Sequence, residues 1–420
     1  MGKEKDLFDT IVIGGGPAGS TVAAILAEKG RRVLVLEKDQ FPRYHIGESL
    51  MPFCYFTLER LGLAEKMNRS HFTKKYSVQF VQTNGQVSQP FYFSQYLDHV
   101  ASTTWQVWRS EFDQMLLDNA REKGAEVREG VRVKGTVEEK DAVVGVMAQD
   151  ADGQLLEFRA PMTIDASGRD SLSMIQRGWR RRDDRMLNKV SIWTYYLGAG
   201  RDPGLDEGAT TIAYLPDKDW FWYIPLPRDM VSVGIVADKK SLFKDTRDPE
   251  VIFGREVKNN PWIEGHLITG QRCEPFRMTG EYSYRSSYCS ADGLVLIGDA
   301  FAFLDPVFSS GVFFALKSGE LAAEAVDMAL CNNDFSAKQF SNYGQKLGAG
   351  VEAMRKLVYA FYDHEFSFRA LLSKYPEHRQ DLTDCLIGNL FKNFDNLFKA
   401  VGEFARLPDS IPHGKPFIKR

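Results

Sequence analysis

The stretch IVIGGGPAGSTVAAILAEKG, residues 11–30, constrains this chain more than any other. It sets Gly14, Gly16 and Gly19 in G-x-G-x-x-G spacing. The stretch from Phe8 to Ile13 precedes the glycines and reads as a buried parallel strand. A helix is predicted after them to about Lys29, then a second strand at Arg32–Glu37, so the chain opens on a β-α-β unit. In such a unit the first glycine permits a tight turn. The second lets backbone approach a pyrophosphate, and the third lets helix and strand pack closely. Pro17 and Ala18 begin the helix, whose free N–H groups and partial positive charge would face the phosphates. Glu37 ends the second strand, placed for a ribose hydroxyl, with Lys38 beside it.

With 420 residues the chain is long enough for two or three domains, or for one large interleaved fold. Its 53 basic and 56 acidic residues leave a net charge of -3, which argues against a nucleic-acid surface. One basic tract, Arg180–Arg182 with Arg177 and Arg185 nearby, is offset by Asp183 and Asp184 and reads as a solvated face. The five cysteines are scattered without a C-x-x-C pair, so no metal site is expected and a reducing, cytoplasmic setting is. No apolar run reaches the length of a membrane span, and no signal-peptide pattern opens the chain. Strands are expected over 76–104, near 125–149 and 155–166, across 188–240 and at 294–298. Helices are expected over 110–122, 311–330 and, in a Phe- and Tyr-rich pattern, from about 335 to 405.

Two later segments repeat the strand-then-glycine theme. TIDASGRDS carries Asp165 and Gly168, and LVLIGDAFAFLDPVFSSGV carries Gly298 and Asp299. With the opening motif they resemble the three fingerprints of the FAD-dependent monooxygenase superfamily. That resemblance implies FAD as cofactor, with Asp299 at the flavin's ribityl chain, Arg109 near the cofactor and the Val133 backbone at adenine.

DWFWYIPLP raises a separate question, because Trp220 and Trp222 lie two apart and on a strand share a face. They are core aromatics or a wall around something reactive. FPRYHIGESL, FTKKYSVQF, WFWYIP and DPVFSSGV together resemble the flavin-dependent halogenases, whose W-x-W-x-I-P signature is complete here. The resemblance implies a catalytic lysine at Lys75, five residues before Phe80; Lys74 competes for the role. It also implies a halide, chloride or bromide, beside Ser310 and Gly311, and flavin contacts from Arg43, Ile46, Gly47, Glu48, Ser49, Gly311 and Val312. His45 is either near the flavin or a satisfied histidine. In that family reduced flavin and O2 form a hydroperoxide, halide takes its distal oxygen, and the lysine delivers the halogen. Trp220 and Trp222 would then stand between flavin and substrate.

Phe308 occupies the place where tryptophan halogenases carry a glutamate, so DPVFSSGV resembles the phenol, pyrrole and carrier-linked branch. The expected fold is an α/β Rossmann-type FAD-binding domain (1–75, 105–187 and 281–330) interleaved with an antiparallel-sheet substrate domain (76–104 and 188–280). A helical region (331–420) follows, either covering the cleft or forming a packing layer. The expected activity is halogenation of an electron-rich aromatic, free or carrier-bound. The rivals are a single-component hydroxylase and a geranylgeranyl-reductase-like flavoprotein. YLGAGRDPG lacks the strand-turn-helix context of a second fingerprint, so reduced flavin is expected from a separate NAD(P)H flavin reductase.

Overall fold

The computed structural model describes residues 8–182, 187–280, 283–411 and 414–418. Asp183, Asp184 and Arg185, beside the basic tract, lie outside the described residues. Arg180–Arg182 is a short strand against Tyr284–Ser286, with the Arg180 guanidinium over the Tyr284 ring.

Seven strands form the first sheet, in the order Lys415–Pro416, Tyr288–Ala291, Leu294–Leu296, Met162–Asp165, Thr10–Ile13, Val33–Glu37, Glu126–Glu129. Its centre is parallel. Every residue of Thr10–Ile13 and Val33–Glu37 is buried, as strands covered on both faces must be. The helix Pro17–Glu28 lies across them, and its contact with the first turn is closed to any side chain. A Cβ on Gly19 would stand 1.9 Å from the Gly14 carbonyl oxygen. Gly14 itself has φ +102°, and its Cβ would meet the Ala166 oxygen at 2.5 Å. The glycines are therefore fixed by backbone-on-backbone contact.

The second sheet has eight strands, built mainly from Lys189–Leu197, Thr210–Tyr214, Trp220–Pro225 and Met230–Asp238. Ser77–Val81 joins its edge in parallel with Thr210–Tyr214. The segment 76–104, where strands are expected, is strand only in part. Ser77–Val81, Phe91–Tyr92 and the start of Thr104–Gln106 pair, Val87 makes a single bridge to Val81, and the rest is 3-10 turn and loop. Gly85, at φ +83°, and Pro90 interrupt the pattern, and the aromatics beyond them stack on one another, Phe91 on Tyr96 at 4.8 Å.

Alternation along Trp220–Pro225 divides its side chains cleanly. Trp220, Trp222 and Ile224 join the main core, whereas Phe221 and Tyr223 pack with Phe253 and Trp262 on the other face. The C-terminal helices, chiefly Ser341–Tyr362, close one end of this arrangement. Tyr343 donates to the Leu296 carbonyl at 2.7 Å, and Tyr362 donates to Asp305 at 2.9 Å. This region thus both packs the core and reaches the cleft.

The tight turn yields the first expected outcome. Gly19→Ala forces helix and strand apart, destabilises the protein by about 1–3 kcal/mol and prevents FAD retention. A thermal melt and a flavin absorbance spectrum of the purified variant check both.

Candidate active site

A cavity of about 380 Å³ runs from the first sheet to the second. Gly14, Gly16, Pro17, Ala18, Glu37 and Lys38 line one end, with Val133 and Gly168. Trp220, Trp222 and Ile212 line the other, with Gly311 and Val312 at the head of the 23-residue helix Ser310–Asn332. Between them run Arg43, Ile46, Gly47, Glu48, Ser49, Arg109 and Asp299. A dinucleotide with a flavin suits this shape. Glycine backbone and two helix N-termini face it, and one buried carboxylate oxygen, Glu48 Oε2, has no hydrogen-bond partner there.

Glu37 is held rigidly, its Oε2 accepting the Gly15 N–H at 2.6 Å and Oε1 the Asp39 N–H at 2.9 Å. Arg109 acts as a buried clamp. Its Nε and Nη2 donate to Asp113 at 2.8 and 2.9 Å, and Nη1 donates to the carbonyls of Ile46 at 2.7 Å and Gly47 at 3.1 Å. Arg43 donates to the same Asp113 at 2.9 Å. A Cβ on Gly47 would come within 3.0 Å of that guanidinium, which accounts for the glycine. His45 is pushed down to about 4 by burial and then by the Arg109 charge, so it is neutral near pH 7; its Nδ1 meets the Ile46 carbonyl at 2.7 Å. Burial pushes Asp299 up to about 6 against the pull of Arg169 and Arg109.

Four of the expected cofactor or halide residues do not line the cavity. Gly19 serves helix packing. Gly298 donates its N–H to Ser318 at 2.8 Å. Asp165 accepts the N–H groups of Ser167 and Ser173 at 2.9 and 2.7 Å, so its carboxylate shapes the loop and does not face the cofactor space. Ser310 is buried at the first turn of its helix, while Ser309, left-handed at φ +56°, and Gly311 face the cavity. Sequence reasoning missed Ser309 and the cavity-lining Tyr44 and Trp193. The first gave no signal beyond its neighbour's. The other two lie far apart in sequence, Tyr44 in the loop after the second strand and Trp193 in the second sheet, and meet only in the fold, where Trp193 Nε1 donates to Tyr44 Oη.

Lys75 is 2% exposed and lines a separate pocket of about 40 Å³ with Phe80, Phe93 and Phe308. Its Nζ donates to Ser49 Oγ at 2.8 Å and to the Leu50 carbonyl at 3.2 Å. Ser49 Oγ in turn shares a hydrogen bond of 2.7 Å with Thr210 Oγ1, which accepts from Gln106 Nε2 at 2.9 Å. Burial pushes the Lys75 amine down to about 7. Lys74 points elsewhere, with Nζ on the Asn68 carbonyl at 3.1 Å. The strand pair Thr73–Lys75 and Thr104–Gln106 sends the two lysines to opposite faces.

Thr210, Ile212, Val307 and Ser309 line both the flavin cavity and the lysine pocket. Trp220 and Trp222 line only the first. Thr210 and Ile212, one strand closer to Lys75 than the indoles, therefore stand with Val307 and Ser309 between the two cavities. The two indoles stand 6.3 Å apart, fixed by Trp220 Nε1 to Tyr362 at 2.8 Å and Trp222 Nε1 to Ser232 at 3.1 Å. Gly234 leaves the room: a Cβ there would lie 2.3 Å from the Trp222 ring.

The buried amine gives a stability prediction. Its folded value of about 7 lies below the ordinary 10.5, so the unfolded chain binds its proton more tightly. The cost is full below pH 7 and fades as pH rises toward 10.5. Lys75→Met accordingly melts above the wild type at pH 6, and the gap narrows through pH 8 and 9. Melts across that range check it.

The family model for tryptophan halogenase matches residues 9–103 and 94–400 of this chain. A 1H-pyrrole-2-carbonyl-[peptidyl-carrier protein] brominase from Pseudoalteromonas luteoviolacea is 35% identical over 351 residues, 82% of this chain and 84% of the relative. The corresponding chlorinase from Pseudomonas fluorescens is 31% identical over 406 residues, 91% of this chain and 90% of the relative. Among solved structures, the flavin-dependent brominase Bmp2 superposes with a TM-score of 0.85 at 30% identity, covering 94% of this chain and 97% of that one. The myxobacterial chondrochloren halogenase CndH gives 0.79 at 30% identity, covering 95% and 96%. With the three fingerprints converging on one cavity and a buried lysine beside it, the chain belongs to the flavin-dependent halogenase family and is an FAD-dependent oxidoreductase.

Proposed function

We propose that this chain halogenates an electron-rich aromatic of the pyrrole type, carried as a thioester on a carrier protein, with Lys75 delivering the halogen. The observation that carries the reading is the pocket around Lys75. Among the described residues its lining is largely apolar, includes no acid, and is shared with the flavin cavity at Thr210, Ile212, Val307 and Ser309. A pyrrole needs no carboxylate to activate its ring, because its own nitrogen feeds electrons to the carbons. Phe308 stands where an indole-activating glutamate would.

Lys75 holds the chemistry in two ways. Its lowered affinity for protons leaves free amine near neutral pH, which captures an electrophilic halogen and keeps it from diffusing. Its bonds to Ser49 and the Leu50 carbonyl fix Nζ at the pocket wall. Bound FAD supplies the oxidising step when reduced and exposed to O2. Chloride or bromide would sit at Gly311, beside the buried Ser310, drawn by the positive end of the long helix. A cleft of about 740 Å³ shares Phe80 with the lysine pocket and leads outward between Tyr214 and Phe368, a route for a thioester arm. The carrier-linked substrates of the brominase and chlorinase relatives support this choice. Reduced flavin would come from a separate NAD(P)H flavin reductase, since the sequence holds one dinucleotide fingerprint.

The direct test supplies FAD, a flavin reductase, NADH, bromide or chloride, and pyrrole-2-carbonyl carrier protein, with free pyrroles and phenols alongside. Mass spectrometry of the released acyl group is expected to show the halogen isotope pattern on the carrier-bound pyrrole. A gain of one oxygen instead would make the protein a hydroxylase. Lys75→Ala is expected to lose the halogenated product by at least about a hundredfold while retaining FAD and its reoxidation by O2. The partition adds a further outcome. Val307→Gly with Ile212→Ala raises the share of oxygenated product, whereas Trp222→Ala weakens FAD binding without changing that share.

A further inference from the structure

One carboxylate in the cavity wall takes no part in the scheme above. Glu48 is 3% exposed, lines the flavin cavity and keeps Oε2 without a hydrogen-bond partner. Its Oε1 accepts from Tyr195 Oη at 2.6 Å. Tyr195 Oη and Tyr44 Oη lie 3.1 Å apart, and Tyr44 Oη accepts from Trp193 Nε1 at 2.7 Å. Counting protons fixes the direction. A phenol has one hydrogen, and that of Tyr195 goes to Glu48. Tyr44 must then donate to Tyr195, while the indole of Trp193 can only donate to Tyr44. Every bond therefore points the same way, from Tyr44, which borders the cavity and is 41% exposed, through the buried Tyr195 to Glu48.

We propose that Tyr44, Tyr195 and Glu48 form a proton path from solvent to the flavin cavity, with Glu48 as the group that delivers the proton. The family's reaction requires one. Reduced flavin anion, O2, halide and two protons yield oxidised flavin, hypohalous acid and water. The flavin gives up two electrons and a proton, the halide gives up two more electrons as it becomes hypohalous acid, and O2 is the oxidant that takes all four. As the Glu48 O–H bond breaks, its proton passes to the O2-derived oxygen that leaves as water. The carboxylate takes the Tyr195 proton, Tyr195 takes that of Tyr44, and Tyr44 takes one from bulk water.

The surroundings suit the task. Burial pushes Glu48 up to about 7, opposed by the Tyr195 hydroxyl and by the Arg109 charge, so both protonation states are present near neutral pH. At the outer end, the Arg277 guanidinium covers the Tyr44 ring at 3.7 Å and holds it in register.

The test reads proton movement in the FAD-bound protein without any aromatic substrate, so failure of the pyrrole reading leaves it intact. The infrared band of the protonated Glu48 carboxyl is assigned by its loss in Glu48→Gln, then followed after mixing into D2O. Exchange is expected to be complete within mixing in the wild type and at least about tenfold slower in Tyr195→Phe and Tyr44→Phe. The same variants are expected to slow flavin reoxidation with halide, and added formate to restore it. If Tyr195→Phe does not fold, Tyr44→Phe at the exposed end carries the same reading. Equal exchange in wild type and the Phe variants, or no Glu48-dependent carboxyl band between pH 5 and 8, overturns the path.

Discussion

The hydroxyl of Ser49 is where the two halves of this molecule meet. It belongs to the loop that follows the first β-α-β unit, yet it touches Lys75 from one strand and Thr210 from another. Through Thr210 it also reaches Gln106. Four separate stretches of chain thus converge on one buried polar cluster. Unpaired, each of these groups would carry a desolvation cost. Paired, they fix the lysine relative to the flavin loop, which Arg109 and Asp113 anchor from beneath. The distance between cofactor and lysine is therefore set by hydrogen bonds between sheets and not by either sheet alone.

This arrangement explains why so many ionisable groups are buried together. Lys75, Glu48, Asp299 and Asp305 all move toward their neutral forms, each mainly through burial. Such groups are poor contributors to stability and useful to chemistry that moves protons and captures an electrophile. Asp305 has a structural part as well: it accepts from Tyr362, which accepts from Trp220. The C-terminal helices thereby reach the wall of the flavin cavity, and the indole's orientation depends on a residue more than a hundred positions away.

Much of the fold was legible because its rules are local. Gly14, Gly16 and Gly19 announce a strand, turn and helix from spacing alone, and the contacts made by Gly14 and Gly19 show why no other residue serves. The alternation of Trp220, Phe221 and Trp222 foretold that the indoles share a face. What they face was not legible, because cross-strand neighbours decide it: Ile212 and Thr210 lie closer to Lys75 than the indoles do. Asp165 misled in the same way. Its place after a strand suggested a cofactor contact, but nearby N–H groups take its carboxylate first. The 76–104 segment is strand only in part, because past Gly85 and Pro90 its rings pack on one another, Phe91 against Phe93 and Tyr96.

The partition has a consequence for how the lysine and the acid divide their labour. Lys75 lines the small pocket and Glu48 the large cavity, so the two groups act on opposite sides of Thr210, Ile212, Val307 and Ser309. Were they in one compartment, an amine near 7 and a carboxyl near 7 would pair, and each would be held in its charged form. The amine would then be a poor nucleophile and the carboxylate a poor acid. Separating them by uncharged side chains keeps both neutral forms available at one pH. The boundary between the two cavities thus carries no charge, two hydroxyl side chains and two aliphatic ones standing between the amine and the acid.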